Sequence, residues 1–181
     1  MQVSVSQIRV ALSAGESLSS TQVNLPSAVA SKVIKYGKKI PDNIIYRPDD
    51  IWKGREREPH ITVKYGLYTD DVNDIVPLLK DVKPFSVTLG EVSLFKGIDG
   101  KCDVVKIDVL SNIPRKLNDL ISNGTKCIEG QYTPHVTIAY VLPGAGDRYV
   151  GDRTFTDTVV KFDTFIFFDK SDIQHPIKLV E

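Results

Sequence analysis

The chain has 181 residues, 41% hydrophobic and 25% charged, and its 23 basic and 23 acidic residues cancel to a formal net charge of zero. That is the make-up of a soluble globular chain, most simply one domain, long enough to bury a sizeable core. Zero net charge excludes the broad positive field that holds proteins on long polynucleotides or anionic membranes, though not a small anionic substrate in a local pocket. Cys102 and Cys127 are the two cysteines; with neither a CxxC spacing nor a neighbouring His pair they argue against a zinc site and read as free thiols of a reducing compartment. No apolar run is long enough for a membrane span, and the first twenty residues lack the basic start and apolar core of a secretory leader. A cytoplasmic protein is expected.

In chain order, the Ser-rich stretch from Ser13 to Thr21 reads as a loop, and residues 1–21 as an N-terminal extension of unknown role. Gln22 to Leu25 reads as a short strand. Pro26 opens a helix running to about Lys39, with Val29, Val33, Ile34 and Tyr36 turned to the core and Pro41 beyond its end. The stretch 42–58 has little period, and its charged run from Lys53 to Glu58 reads as an exposed loop. His60 to Leu67 is a predicted strand. Asp70 is a candidate N-cap for a helix of about three turns carrying Val72, Ile75, Val76 and Leu79 on one face. Phe85 to Phe95 and Cys102 to Leu110 read as hairpin strands about a turn at Gly97–Gly100. Asn112 and Pro114 start a helix whose stripe is Ile113, Leu117, Leu120 and Ile121, closed by Gly124. His135 to Leu142 is the next strand, Gly144 to Arg153 a turn-rich stretch, and Thr158 to Phe168 a further strand. Short strands interleaved with two or three helices predict an α+β fold. One domain over 22–170, with a C-terminal tail over 171–181, is the expected organisation.

Two strings stand out, Pro59-His60-Ile61-Thr62-Val63 and Pro134-His135-Val136-Thr137-Ile138. They hold two of the chain's three histidines. On a strand, side chains alternate between faces, so His60 shares a face with Thr62, and His135 with Thr137. If the two strands lie side by side about a pseudo-two-fold axis, four side chains converge. Histidine titrates near neutrality. One imidazole can take a proton from an attacking hydroxyl while the other protonates a departing oxygen. The threonines can donate to phosphoryl oxygens and hold them in line. The arrangement needs no metal and no cofactor, and no carboxylate cluster or third nearby histidine suggests a metal site. His175, which no threonine follows, reads as structural or solvated.

These paired motifs, on strands and with apolar flanks, resemble the 2H phosphoesterase superfamily, whose pattern is H-x-[ST]-x. Val23-Asn24-Leu25-Pro26 followed by a helix is similar to that family's first strand and helix, and the resemblance covers about Gln22 to Asp169. The superfamily includes RNA 2′,3′-cyclic phosphodiesterases, bacterial RNA-ligase-like proteins, the central domain of kinase-anchoring proteins, and phage anti-CBASS nucleases that cut cyclic nucleotide signals. The resemblance implies a bilobal α+β fold, two pseudo-symmetric lobes of mainly antiparallel sheet with flanking helices and a central cleft. It also implies metal-independent phosphodiester chemistry, with His60, Thr62, His135 and Thr137 as the catalytic residues. The substrate would be a small nucleotide, a cyclic oligonucleotide or an RNA end, carrying a 2′,3′-cyclic phosphate or a 3′–5′ linkage beside a free 2′-OH. A nucleotide- or RNA-binding module without catalysis, and an RNA-ligase-type activity, are the alternatives.

Several flanking residues carry weaker expectations. Lys64 continues the parity of His60 and Thr62; it either contacts a phosphate oxygen or is a solvated lysine at a strand end. Tyr65 and Tyr140 have the opposite parity and are expected in the core or on the back face. Trp52, Tyr46 and Tyr132 precede the motifs and either stack on a nucleobase or pack in the core. Arg55 and Arg57 alternate with Glu56 and Glu58, as in a solvated loop.

Overall fold

A computed structural model describes residues 18–47, 54–98 and 100–180. In chain order its elements are β1 (Ser19–Asn24), α1 (Ser27–Gly37), β2 (His60–Leu67), α2 (Val76–Leu79), β3 (Phe85–Ile98), β4 (Cys102–Val109), α3 (Ile113–Gly124), β5 (His135–Val141), β6 (Val159–Phe162), β7 (Thr164–Phe168) and β8 (Gln174–Lys178). The strands form two four-stranded sheets, in the orders β2-β1-β7-β8 and β5-β4-β3-β6. Their pairings are antiparallel. This is the expected α+β architecture of two similar halves. Each motif strand is the outermost strand at the same end of its sheet.

The helices tie the halves together. α1 follows β1 but packs on β5, and α3 follows β4 but packs on β2. Pro26 stands immediately before α1, which buries Val33 and Tyr36. Pro114 sits in the first turn of α3, and Leu117 and Ile121 face inward. Leu120, expected in that stripe, is exposed. Its place is taken by Asn118, whose Nδ2 donates to the Val63 carbonyl at 2.6 Å. β2 is an edge strand, so a buried carbonyl on its free side needs a donor, and an amide side chain from the helix supplies it. Val23, Ile61, Val105, Ile107 and Val136 are completely buried beneath the sheets. Each such side chain contributes about 1.5–3 kcal/mol relative to exposure.

Five expectations are corrected. β1 begins at Ser19, inside the stretch read as a loop and extension. Its hydroxyls are bonded across the sheet, Ser19 Oγ to the Thr69 carbonyl at 2.6 Å and Thr21 Oγ1 from the Lys64 amide at 3.1 Å, so polar residues sit in an inner strand. The three-turn helix after Asp70 is a 3₁₀ turn, Val72–Asp74, followed by the four-residue α2. Pro77 lacks an N–H and restricts Val76, which breaks a continuous helix. Asp71 rather than Asp70 caps the turn, accepting from Asn73 N, and Asp70 accepts from Lys170 N. The single strand over Thr158–Phe168 is two, broken at Asp163, where the chain leaves one sheet for the other. The segment read as a tail supplies β8, whose Ile177 pairs with Phe165 and is buried.

Candidate active site

The two motifs fold to the same local geometry. His60 Nδ1 lies 2.8 Å from the Glu58 carbonyl, and His135 Nδ1 lies 2.8 Å from the Thr133 carbonyl. The proline in each motif explains this. A residue before proline is held extended, so Glu58 and Thr133 present their carbonyls in a fixed direction to the ring two residues on. A carbonyl only accepts, so Nδ1 carries the hydrogen in each neutral ring. Nε2 is then the free position, able to accept a proton when neutral and donate one when charged.

Cross-strand partners share a face of the sheet. His60 and Thr62 stand opposite Asn24 and Gln22 of β1, and His135 and Thr137 stand opposite Asp108 and Lys106 of β4. β2 and β5 are neighbours, and the charge of His60 is felt at His135. The structure thus brings both His-x-Thr pairs together. Among the described residues neither threonine hydroxyl bonds to another protein group, which leaves both available to a ligand.

A β-bulge follows the threonine in each strand. Gln22 faces Thr62 but Thr21 faces Lys64, so Val63 is the extra residue; Lys106 faces Thr137 but Val105 faces Ala139, so Ile138 is its counterpart. A bulge flips the side-chain parity beyond it. Lys64 therefore leaves the motif face. It is buried, and its ammonium donates to the Ile128 carbonyl at 2.8 Å. Tyr65 and Tyr140 make the opposite move, onto the sides of Ser20 and Val104. These are corrections to a strict alternation, and the pseudo-symmetry extends to them.

The sides differ in what lies under the histidines. Beside His60 are two amides, with Gln22 Nε2 donating to Asn24 Oδ1 at 2.6 Å. Beside His135 is a charged cluster. Lys106 Nζ donates to Asp108 Oδ1 at 2.5 Å and to Ser93 Oγ at 2.7 Å, and Ser93 Oγ donates to Asp108 Oδ1 at 2.6 Å. Lys106 also lies 4.5 Å from the centre of the Phe95 ring, which meets His135 edge-on at 4.8 Å. Burial pushes the His135 imidazole down to about 4; the charges of Lys106 and His60 add to this, while the Thr133 carbonyl and Asp108 oppose it. Burial alone would raise Asp108, but Lys106 and Ser93 hold its carboxyl below the usual carboxylate range. Sequence reasoning missed Gln22, Asn24, Ser93, Phe95, Lys106 and Asp108. The available signal was Lys106-x-Asp108, two opposite charges at strand spacing among the valines and isoleucine of a hairpin strand.

A family model described as the 2′-5′ RNA ligase superfamily matches residues 46–152, more than half of the chain. The chain belongs to that superfamily, the 2H phosphoesterases.

Solved structures carry the same fold. E. coli LigT complexed with phosphate superimposes with a TM-score of 0.56 at 13% identity, over 91% of this chain and 95% of that one. E. coli LigT complexed with 3′-AMP gives 0.55 at 15% identity, over 91% and 99% of the two chains. Kluyveromyces marxianus Usb1 gives 0.54 at 9% identity, over 90% and 98%. No curated protein matches this 2H phosphoesterase in sequence.

The weaker site expectations fare unevenly. Tyr132 does reach the motif, where its hydroxyl donates to the Thr62 carbonyl at 2.8 Å and burial pushes its pKa up. Tyr46 does not. Its amide bonds to the Tyr140 carbonyl, five residues beyond His135, or about 16 Å along the strand. Trp52 lies outside the described residues. Arg55 bonds to the Gly37 and Ile40 carbonyls and to Asp42, closing the end of α1. His175 sits on β8 and pairs with Asp169 at 2.8 Å. No group of three His, Cys, Asp or Glu that could hold a metal occurs among the described residues, and no described helix is long and apolar enough to cross a membrane. A groove of about 370 Å³ is lined by Asp108, Asn112, Arg115, Thr133 and Pro134, and none of the four motif side chains lines it.

Proposed function

We propose that this 2H phosphoesterase is a metal-independent phosphodiesterase of the cytoplasm, acting on a small nucleotide or oligonucleotide. The observation that carries the reading is the paired geometry at His60 and His135, each Nδ1 fixed by a carbonyl two residues back and each Nε2 left free. One histidine takes the proton of the attacking hydroxyl, the new P–O bond forms, and the other histidine protonates the departing oxygen as its P–O bond breaks. Thr62 and Thr137 donate to the non-bridging oxygens, where negative charge builds. The substrate has a 2′,3′-cyclic phosphate, attacked by water, or a 3′–5′ linkage beside a free 2′-OH, cyclic oligonucleotide signals included. Support for a nucleotide comes from the fold neighbours, since LigT structures are complexed with 3′-AMP, NADP+ and ATP.

The test is a substrate panel in EDTA, holding 2′,3′-cyclic nucleotides, short RNA with cyclic-phosphate ends, and cyclic di- and trinucleotides. Turnover of at least one class without metal is the expected result. Binding without turnover of any of them would make the chain a nucleotide-binding module instead.

A further inference from the structure

The two motifs are alike in themselves but not in their surroundings. β1 puts uncharged Gln22 and Asn24 opposite Thr62 and His60, whereas β4 puts Lys106 and Asp108 opposite Thr137 and His135. Lys106 and Asp108 form an ion pair, yet its members are unequally placed. The lysine side chain is 5% exposed and the aspartate 35%. Water screens the negative end and leaves the positive end inside, so the pair does not cancel at a neighbouring ring. The groups around His135 are Lys106 and Asp108 of β4, Ser93 and Phe95 of β3, His60 of β2, and the Thr133 carbonyl, with Arg115 of α3 farther along the groove. Phe95 walls the ring and excludes water from one side. The ammonium of Lys106, bound to Ser93 and Asp108, is held where it cannot swing out to solvent.

We propose that Lys106, held beside His135 by Asp108 and Ser93, is a positioning group whose charge adds to the burial of that ring in favouring its neutral form, and so helps to set the direction of proton flow. His135 Nε2 takes the proton of the attacking hydroxyl, and His60 Nε2 gives its proton to the departing oxygen. Each turnover leaves His135 charged and His60 neutral, and exchange with water restores both. The assignment rests on the phosphodiesterase reading above. The low titration of His135, set by burial with Lys106 adding to it, agrees with this direction.

The experiment has two arms on the full chain. The first follows the His135 imidazole by NMR against pH, with no substrate. His135 stays neutral at pH 6 in the wild type. Lys106→Met raises its midpoint by about one unit, since a positive neighbour is lost. Asp108→Asn moves it the other way, and Lys106→Arg leaves it near the wild-type value. Each dispersed spectrum also reports that its variant folds, and the opposite signs expected for Lys106→Met and Asp108→Asn let either one decide. The second arm measures kcat/KM against pH on a 2′,3′-cyclic nucleotide. A base must be deprotonated to act, so its titration is the acid limb. Lys106→Met moves the acid limb up and leaves the alkaline limb in place. Movement of the alkaline limb instead would make His135 the acid, and a His135 midpoint unmoved in a folded Lys106→Met protein would remove Lys106 from the account. Lack of wild-type turnover on any phosphodiester would sink the phosphodiesterase reading and the base role with it, while the NMR arm still decides the electrostatic claim by itself.

Discussion

Replacing Lys64 by methionine separates the two geometries available to β2. By strict alternation Lys64 would share the face of His60 and Thr62 and could hold a phosphate oxygen. The bulge at Val63 instead sets it opposite Thr21, with its ammonium on the Ile128 carbonyl. A charged hydrogen bond to substrate is worth about 1.5–3 kcal/mol, so its loss would lower kcat/KM about 10- to 150-fold. In the observed geometry the substitution touches no substrate, and kcat/KM stays within about threefold. Stability changes little as well. Methionine keeps the length of the stem and removes a buried ammonium whose desolvation cost roughly matches its one bond, for a net effect of about 1.5 kcal/mol or less of either sign. Ile128 is half-buried, so water can reach the carbonyl that is left. The assay is steady-state turnover of a 2′,3′-cyclic nucleotide in EDTA, paired with urea unfolding. A tenfold or greater loss of kcat/KM in a protein of wild-type stability would refute the bulge-based placement.

Other expectations follow from the same geometry. His60→Ala and His135→Ala each lower kcat by about 10²–10⁴-fold, and the double variant falls short of the product because the two act as one relay; full multiplicativity in steady-state rates would contradict this. Thr62→Ala and Thr137→Ala cost about 10–10³-fold, each removing one hydrogen bond to the charged transition state, and show up in kcat more than in KM. Asn118→Ala leaves the Val63 carbonyl buried without a donor and lowers stability by about 1–3 kcal/mol, read in urea; no loss would mean that water fills the gap. His135 titrates near 4 when folded, below its unfolded value. Between about 4 and 6.5 the unfolded chain therefore binds more protons, and the His135 contribution, complete above about 6.5, is lost as pH falls through that window. His135→Gln should flatten the stability–pH curve there, and an unchanged slope would count against the shifted titration.

Much of the site was legible because its signal is local. The proline–histidine–threonine strings repeat the same residues in the same order, and the prolines alone account for the fixed rings, since each restrains the residue whose carbonyl meets Nδ1. The helices over α1 and α3 were legible for a similar reason, having a proline at the start and a period of about 3.6 behind it. What failed lies where a long-range contact overrides the local pattern. β1 reads as polar from Ser19 to Gln22, but its hydroxyls bond to residues 50 and 43 positions away, so no window of neighbours reveals the strand. β6 and β7 read as one apolar run because nothing local marks the change of sheet except Asp163, whose carbonyl receives the Leu179 amide from beyond β8.

The bulges show most sharply where sequence patterning stops. Alternation assigns faces only while pairing stays in register, and one extra residue exchanges every assignment that follows. In β2 the residues that give a bulge away are ordinary ones, Val63 and Lys64, both buried where strict alternation would bury one. In β5 the pair is Ile138 and Ala139. A methyl group beside an isoleucine looks like any apolar strand, whereas a lysine there looks like a ligand-binding residue. The same backbone device therefore misleads in one half and passes unnoticed in the other. The charged cluster under His135 was hidden for a related reason. Lys106 and Asp108 belong to a strand with no motif, and they matter only because β4 pairs with β5 in a register that sets them against Thr137 and His135. Paired motifs can announce that two histidines act together. Which one is the base depends on the strand next door, and that is a property of the sheet rather than of either string.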